Sequence, residues 1–134
     1  MEKRKLTING HSHLLPYPEE IPQFMKDKGI FWVDKDRKYM LQKDWNRPIT
    51  DSSFFLNEKL EWMERNKIDH AVVLNLSQLY GNGLRVEEMK QALRFQNAFN
   101  AKIQHDNPSK FTTGFVVHPG FVRGACWEIE RFVE

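Results

Sequence analysis

The stretch INGHSHLLP, residues 8–16 of the 134-residue chain, decides the fold. Residues from Leu6 to His13 predict a short strand, which the Leu-Leu-Pro turn at residues 14–16 ends. Side chains alternate along a strand, so His11 and His13 should point to the same side. Imidazole is a good ligand for zinc and related divalent metals. The pattern therefore predicts half of a metal site, against the alternative of two unrelated surface histidines.

Strand and helix patterns alternate downstream of this stretch. Residues 52–66 and 86–104 predict amphipathic helices, and a third helix begins near Gly124. The nearly continuous apolar run 71–76 predicts a parallel strand covered on both faces, and residues 111–117 predict the next strand. The expected N-cap residues of the first helix are Asp51, Ser52 and Ser53. Each helix has an expected apolar face: Leu56, Leu60 and Met63 in the first, Met89, Ala92, Leu93, Phe99 and Ile103 in the second, and Ala125, Ile129, Phe132 and Val133 in the third.

This alternation predicts an α/β fold with a parallel sheet and crossover helices. Three units of roughly 30–35 residues match the repeat of a TIM-type (β/α)8 barrel, which spreads about 250 residues over eight units. We therefore predict that residues 1–134 form the first three βα units of such a barrel, with residues 14–51 inserted after strand one. Within the insertion, residues 30–33 and 38–41 flank a polar turn, which predicts a small β-hairpin.

The composition narrows the class of protein. Apolar residues make up 40% of the chain and charged residues 28%, as in ordinary globular proteins. A net charge of +2 and one short basic cluster, residues 3–5, do not favour a nucleic-acid partner. No apolar run approaches the roughly 20 residues of a membrane span, and no secretory signal is visible. The single cysteine, Cys126, excludes an internal disulfide, which fits a reducing compartment, so we expect a cytoplasmic protein. The neighbours of Cys126 in the sequence predict a packed helix position for it.

Other polar residues are weaker candidates. His118 ends the third predicted strand, on the rim where barrel active sites lie. We interpret it as a turn residue before Pro119, with a place in the substrate pocket or on the metal as alternatives. Asn75 interrupts the second strand, where it either faces the barrel interior near the metal or is a satisfied buried polar group. Structural roles suffice for His105 at a helix C-terminus and for His70, which precedes the second strand at the opposite, N-terminal end of the barrel.

The opening stretch resembles the first strand of the amidohydrolase superfamily. More narrowly, it is similar to the branch that contains aminocarboxymuconate-semialdehyde decarboxylase and related nonoxidative decarboxylases. The β insertion is also typical of that branch, as is the Trp-Met-Glu step at residues 62–64. The same holds for the Asn-rich segment 97–107, which leads into the Pro-Ser-Lys-Phe step at residues 108–111. The resemblance covers essentially the whole chain and matches the N-terminal portion of the family.

The resemblance implies a (β/α)8 barrel with one divalent metal, usually zinc, with Mn, Fe or Co as alternatives. His11 and His13 match the first two metal ligands, whereas the remaining His and Asp ligands and the catalytic histidine belong to later strands. It also implies that the insertion covers the mouth of the barrel. The candidate pocket residues are therefore Trp32, Trp45, Asn75 and His118. The family more often has Asp at the position of Asn9, and the Arg that decarboxylase members use to hold a substrate carboxylate has no match, since Arg47 is out of register.

We therefore expect the N-terminal part of a metal-dependent hydrolase or decarboxylase that acts on a small carboxylate or cyclic substrate, with a homodimer implied by the family. The last helix reaches Glu134 without the usual end signals, so the catalytic residues are expected beyond it, and the 134 residues alone should be inactive. Two alternatives stay open. One is an incompetent chain that acts as a structural or self-associating module, because two imidazoles do not complete a zinc site. The other is a different barrel family, such as a phosphoesterase.

Overall fold

The computed structural model describes residues 5–49, 53–77 and 83–133, except for the side chains of residues 53, 54, 132 and 133. The helices and strands follow one another along the chain in a mixed order. They are β1 (Ile8–Leu14), α1 (Gln23–Asp27), β2 (Trp32–Val33), β3 (Tyr39–Gln42), β4 (Trp45–Pro48), β5 (Ser53–Phe54), α2 (Leu56–Arg65), β6 (His70–Val73), α3 (Val86–Asp106), β7 (Phe111–Thr113) and α4 (Val122–Val133).

A parallel sheet with the strand order β5-β1-β6-β7 forms the centre of the chain. Helix α2 leads into β6 and helix α3 into β7, and both helices pack on the same side of the sheet. The shared contact is an apolar cluster that includes Met63 of α2, Ile103 of α3, and Ala71 and Val73 of β6. The prediction of a mixed α/β fold with a parallel sheet and crossover helices is therefore confirmed. We call the side that these helices cover the helix side, and the opposite side the open side.

A bulge interrupts the pairing of β1 with β6. Asn9 pairs with Ala71 and Ser12 with Val73, so β1 advances three residues while β6 advances two. Because paired residues of parallel strands point to the same side, Asn9 and Ser12 both face the helix side. The extra residue in β1 inverts the alternation between them. The strand pattern alone predicted a common side for the two histidines, and this bulge decides that it is the open side.

Strand β7 is shorter than predicted, because the chain leaves the sheet after Thr113. Amide side chains of α3 bind the departing backbone in place of a neighbouring strand. The Asn97 side chain donates to Val116 O at 2.9 Å and accepts from Val116 N at 2.8 Å. Asn100 donates to Gly114 O at 2.9 Å, and Gln104 accepts from Thr113 N at 2.7 Å. The predicted strand 111–117 was therefore too long, since its second half is held by a helix.

The insertion is larger than one hairpin. Strands β2, β3 and β4 form a three-stranded antiparallel sheet, and the short helix α1 precedes them. The predicted hairpin is present, and Asp34 stabilises its turn by accepting from the amides of Lys38 and Tyr39 at 2.7 and 2.6 Å. Strand β4 was missed because its sequence, Trp-Asn-Arg-Pro, has no apolar alternation and ends in a proline, which only an edge strand tolerates. The predicted hairpin of residues 30–33 and 38–41 is thus one part of a three-stranded sheet.

The starts and faces of two helices also differ from prediction. Helix α2 begins at Leu56, and its N-cap residue, Phe55, provides no side-chain hydrogen bond. The proposed cap Ser53 belongs instead to β5, which pairs with β1. The other two proposed caps lie outside the described residues. In α4, Ile129 is 42% exposed and Cys126 is exposed, so placing both in the packed face was wrong.

The buried face of α4 carries Gly124 and Glu128 instead. The Glu128 carboxylate lies between Asn97, Arg94 and Arg131, and these polar contacts decide which face turns inward.

Candidate metal centre

His11 and His13 lie side by side at the C-terminal end of β1. Their Nε2 atoms are 3.2 Å apart, and their rings are nearly perpendicular, with centroids separated by 4.9 Å. His11 is exposed and His13 half-buried, while Ser12 between them is buried on the helix side. The structure therefore brings the two predicted ligands together on the open side of the sheet.

The tautomer of His13 follows from its second contact. Its Nδ1 atom lies 2.9 Å from the carbonyl oxygen of Leu74, which follows β6. Because a carbonyl oxygen only accepts, Nδ1 must carry the proton and donate it, which leaves the lone pair of the neutral ring on Nε2. Metal-binding histidines in proteins are typically held in this way, with one ring nitrogen bound to a carbonyl and the other directed to the metal.

The distance between the two Nε2 atoms suits a shared metal ion. Zn–N bonds of about 2.0–2.1 Å at a tetrahedral angle separate two ligand nitrogens by about 3.3 Å. The observed 3.2 Å is close to that separation. Without a metal, the same distance permits His11 Nε2–H to donate to His13 Nε2, so the pair is satisfied in both situations. The residues present fit two positions of a zinc-type coordination sphere.

Asn9 supports the bulge that presents the histidines. Its side-chain Oδ1 accepts the backbone N–H of His11 at 3.1 Å. A bulge leaves an amide outside the ladder of the sheet, and a side-chain oxygen two residues earlier is a common substitute acceptor. Gly10 is not required for steric reasons, because a Cβ atom there would meet nothing within 4 Å. The local geometry of the site therefore depends on Asn9 more directly than on its neighbouring glycine.

A complete metal site is not present in the described part of the chain. No group of three or more His, Cys, Asp or Glu side chains is placed to hold a metal ion within residues 5–49, 53–77 and 83–133. Proteins hold zinc with at least three side chains in most known sites. The arrangement can thus supply two neighbouring imidazole ligands, and it needs further donors.

The sheet surface around the histidines is open and partly apolar. Ile8 is 58% exposed and Leu74 is 36% exposed, although both belong to or directly follow central strands. The pairing of Ile8 with His70 places both on the open side, since the next pair, Asn9 and Ala71, faces the helices. His70 bridges to Thr112 of β7, with Nε2 2.9 Å from the hydroxyl oxygen. The open side therefore carries a histidine pair at one end and a cross-strand contact at the other.

The other predicted pocket residues lie elsewhere. Asn75 is buried on the helix side, where its Oδ1 accepts from Asn100 of α3 at 3.1 Å. His118 accepts the Gly120 amide through Nδ1 at 3.1 Å, a turn contact that agrees with the interpretation we preferred. Trp45 packs against the apolar cluster of the insertion, and Trp32 pairs with Leu41 in the insertion sheet. None of these contacts joins one of the four residues to the histidine pair.

Arg37 is a candidate anion-binding residue that no pattern in the sequence identified. It occupies the hairpin turn with a positive φ of 57°. Its guanidinium lies 5.4 Å from the ring centre of Tyr17 and 5.6 Å from that of Phe55, and these two rings are stacked on each other. It forms no ion pair within the described residues. A guanidinium held by stacking keeps its N–H edges available for an anion.

Lys59 of α2 is a buried cation. Its Nζ atom lies 4.1 Å from the ring centre of Trp62, and burial lowers its pKa from 10.5 to about 8. No pattern in the sequence identified it, because an Asn-Glu-Lys run on a helix normally indicates an exposed face.

Comparison with protein-family models finds no match to this chain, and no curated protein matches it either. None of the helices in the described segments is long and apolar enough to cross a membrane.

Proposed function

We propose that this chain contributes the first two ligands, His11 and His13, to a mononuclear metal centre in an enzyme of the amidohydrolase type. The observation that carries the proposal is the pair of Nε2 atoms 3.2 Å apart, with His13 oriented by the Leu74 carbonyl. The position of the pair at the C-terminal end of β1 supports it, because active sites of (β/α)8 barrels lie at that end of the strands. The consecutive order of β1, β6 and β7, with both helices on one side, is compatible with three units of such a barrel.

The residues of this chain have distinct tasks in the proposed centre. His13 is held in one tautomer and one orientation, so its Nε2 lone pair is available without rearrangement. His11 is exposed and is held through its backbone contact with Asn9. A bound divalent metal, zinc or alternatively Mn, Fe or Co, would lower the pKa of a bound water or polarise a substrate carbonyl or carboxylate. The resemblance implies a further His and an Asp as ligands, which the described residues do not provide.

The reaction class proposed is hydrolysis or nonoxidative decarboxylation of a small-molecule substrate. The open side of the sheet beside the histidines provides a surface of mixed apolar and imidazole character for such a molecule. The alternative is a catalytically incompetent chain that acts as a structural or self-associating module, which the exposed apolar side chains of the chain would suit.

Metal titration tests the proposal. We expect the natural protein to bind one Zn²⁺ or Co²⁺ per chain, measured by isothermal titration and by the visible absorption of Co²⁺. Replacing either ligand, by His11→Ala or His13→Ala, should weaken binding at least tenfold, because each removes a metal–nitrogen bond. His105→Ala is the matched control, since His105 is an exposed histidine whose Nδ1 atom lies 3.1 Å from the Asp106 carboxylate. Equal affinities in all four proteins would refute the proposed centre.

A further inference from the structure

The end of β6 reaches the histidine pair through its backbone. Gly114 N donates to Val73 O at 2.8 Å. Leu74 N donates to Ser12 O at 2.8 Å, so the neighbouring backbone holds the chain up to this amide. The next backbone group is the Leu74 carbonyl, which accepts from His13 Nδ1 at 2.9 Å. The orientation of the His13 ring therefore depends on how the chain continues after Leu74.

Asn75 follows this carbonyl, and helix α3 holds its side chain. Both Asn75 and Asn100 are buried on the helix side of the sheet. The Nδ2 group of Asn100 donates to Asn75 Oδ1 at 3.1 Å and to Gly114 O at 2.9 Å. A carboxamide has two N–H bonds, so one Asn100 side chain serves both acceptors. It thus connects the residue after β6 with the residue after β7.

Packing alone does not explain why position 75 carries an amide. The Nδ2 group of Asn75 is buried and has no hydrogen-bond partner among the residues that the structure describes. A buried donor without a partner is unfavourable, whereas an apolar side chain of similar size would avoid this cost. The contact that Asn75 does make is the one through its oxygen to Asn100. The contact with α3 is therefore the property that distinguishes this side chain from an apolar one.

We propose that Asn75 and Asn100 are positioning residues, which hold the Leu74 carbonyl where it keeps the proton of His13 on Nδ1. The inference rests on the proposed metal centre, whose second ligand is His13. The peptide group is planar, so its carbonyl turns only by rotation at the two adjoining Cα atoms. Anchoring the Asn75 side chain to α3 limits that rotation. Because the carbonyl only accepts, its position decides which nitrogen of His13 keeps the lone pair.

The tautomer of His13 in the metal-free protein tests this role. We would record ¹⁵N NMR spectra of the ring nitrogens at a pH about two units above the usual imidazole pKa of about 6.5, where the rings are neutral. The wild type should carry the proton on Nδ1. Asn75→Ala and Asn100→Ala should each raise the fraction of the Nε2–H tautomer several-fold. The double variant should show no larger change than either single one, because both substitutions remove the same contact.

Asn97→Ala separates positioning from general destabilisation. Asn97 is another buried amide of α3, and its contacts are with Val116 and Glu128. Its loss should destabilise the fold and leave the tautomer of His13 unchanged. Asn75→Ala keeps the bond from Asn100 to Gly114, so it tests the contact even where Asn100→Ala does not fold. An unchanged tautomer in folded Asn75→Ala protein would overturn the proposal, as would an equal change in Asn97→Ala.

Zinc titration distinguishes this proposal from that of the metal centre itself. Asn75→Ala should weaken Zn²⁺ binding about tenfold, the usual effect of losing a group that orients a ligand. If His13→Ala abolished zinc binding while Asn75→Ala bound zinc like the wild type, the centre would stand and the positioning role would be wrong. If the wild type bound no zinc but the tautomer still shifted in Asn75→Ala, the centre alone would be refuted.

Discussion

At the scale of single residues, the contact between Asn9 and the His11 amide connects a local backbone irregularity to the chemistry of the site. Alternation along a regular strand would carry both histidines to the helix side, where α2 and α3 pack. The inserted residue turns them to the open side, and the Asn9 oxygen satisfies the amide that the bulge displaces. The positions of His11 and His13 relative to each other follow from their spacing, whereas the side they face follows from this bulge.

Removing the Asn9 side chain should therefore loosen the proposed metal centre. We expect Asn9→Ala to weaken Zn²⁺ binding about tenfold, as is typical when a supporting hydrogen bond of a ligand is lost. The free energy of unfolding should fall by only about 0.5–1.5 kcal/mol, the net value of one hydrogen bond. Isothermal titration and urea denaturation measure the two effects separately.

A conservative replacement distinguishes positioning from general damage. Asn9→Asp keeps an acceptor oxygen in the same place and should bind zinc at least as tightly as the wild type. Asn46→Ala, at an exposed asparagine of β4, serves as the matched control. If Asn9→Ala bound zinc with unchanged affinity, the supporting role assigned to Asn9 would be wrong.

At the scale of elements, α3 does more than cover the sheet. Its amide side chains Asn97, Asn100 and Gln104 hold residues 113–116 by their backbone where the chain leaves the sheet at the end of β7. A buried backbone group needs a partner, and the helix provides one for Thr113 N, Gly114 O and both backbone groups of Val116, whereas Gly114 N still bonds to Val73 O of β6. Asn97, Asn100 and Gln104 of α3 therefore have a structural explanation that is independent of catalysis.

The double contact of Asn97 with Val116 should be costly to lose. Asn97→Ala leaves the N–H and C=O of Val116 without their partner, so we expect the free energy of unfolding to fall by about 2–4 kcal/mol. Amide hydrogen exchange at Val116 should accelerate more than exchange in β6. Gln91→Ala, at an exposed position of the same helix, should change stability by less than about 0.5 kcal/mol. A similar small effect of Asn97→Ala would show that the contact contributes little.

Elements with strong periodicity were predicted well. Helix α3 was expected over residues 86–104 and extends over Val86–Asp106, because its apolar positions Met89, Ala92 and Ile103 recur at helical spacing. Strand β4 and the short β5 were not predicted, since neither has an apolar pattern of its own. The face of α4 was misassigned because the buried carboxylate of Glu128 outweighs the apolar side chain of Ile129. Such a choice depends on partners from other elements, which no local pattern contains.

At the scale of the whole molecule, α3 joins two apolar clusters. Ala92 belongs to the cluster of the insertion, which includes Phe31 and Met40, and Ile103 belongs to the cluster of the parallel sheet. A helix of 21 residues is long enough to contact both. The insertion and the parallel sheet therefore both pack against helix α3.

The stability of the whole chain should depend on pH through Lys59. Burial lowers its pKa in the folded state to about 8, whereas the unfolded chain keeps a pKa near 10.5. Between these values the unfolded state binds more protons at Lys59, so the contribution of Lys59 to stability rises with pH from about 8 to 10.5 and is constant below that window. We expect a rise of about 1–2 kcal/mol in urea denaturation.

Substitution of the buried lysine isolates this effect. Lys59→Met keeps the length of the side chain and removes the charge, so the rise between pH 8 and 10.5 should disappear. Lys26→Met, at an exposed lysine of α1, should retain it. The same pH dependence in all three proteins would mean that another group is responsible.

The sequence by itself determined the alternation of strands and helices, the parallel sheet, the place of the insertion and the neighbouring positions of His11 and His13. These properties depend on local periodicity and on spacing within one strand, which are complete in the amino-acid order. Only the tertiary structure decided which side the histidines face, the Leu74 carbonyl that orients His13, the early end of β7 and the outward face of α4. Each of these depends on a partner distant in the chain, because hydrogen-bond satisfaction and burial are settled between elements and not within them.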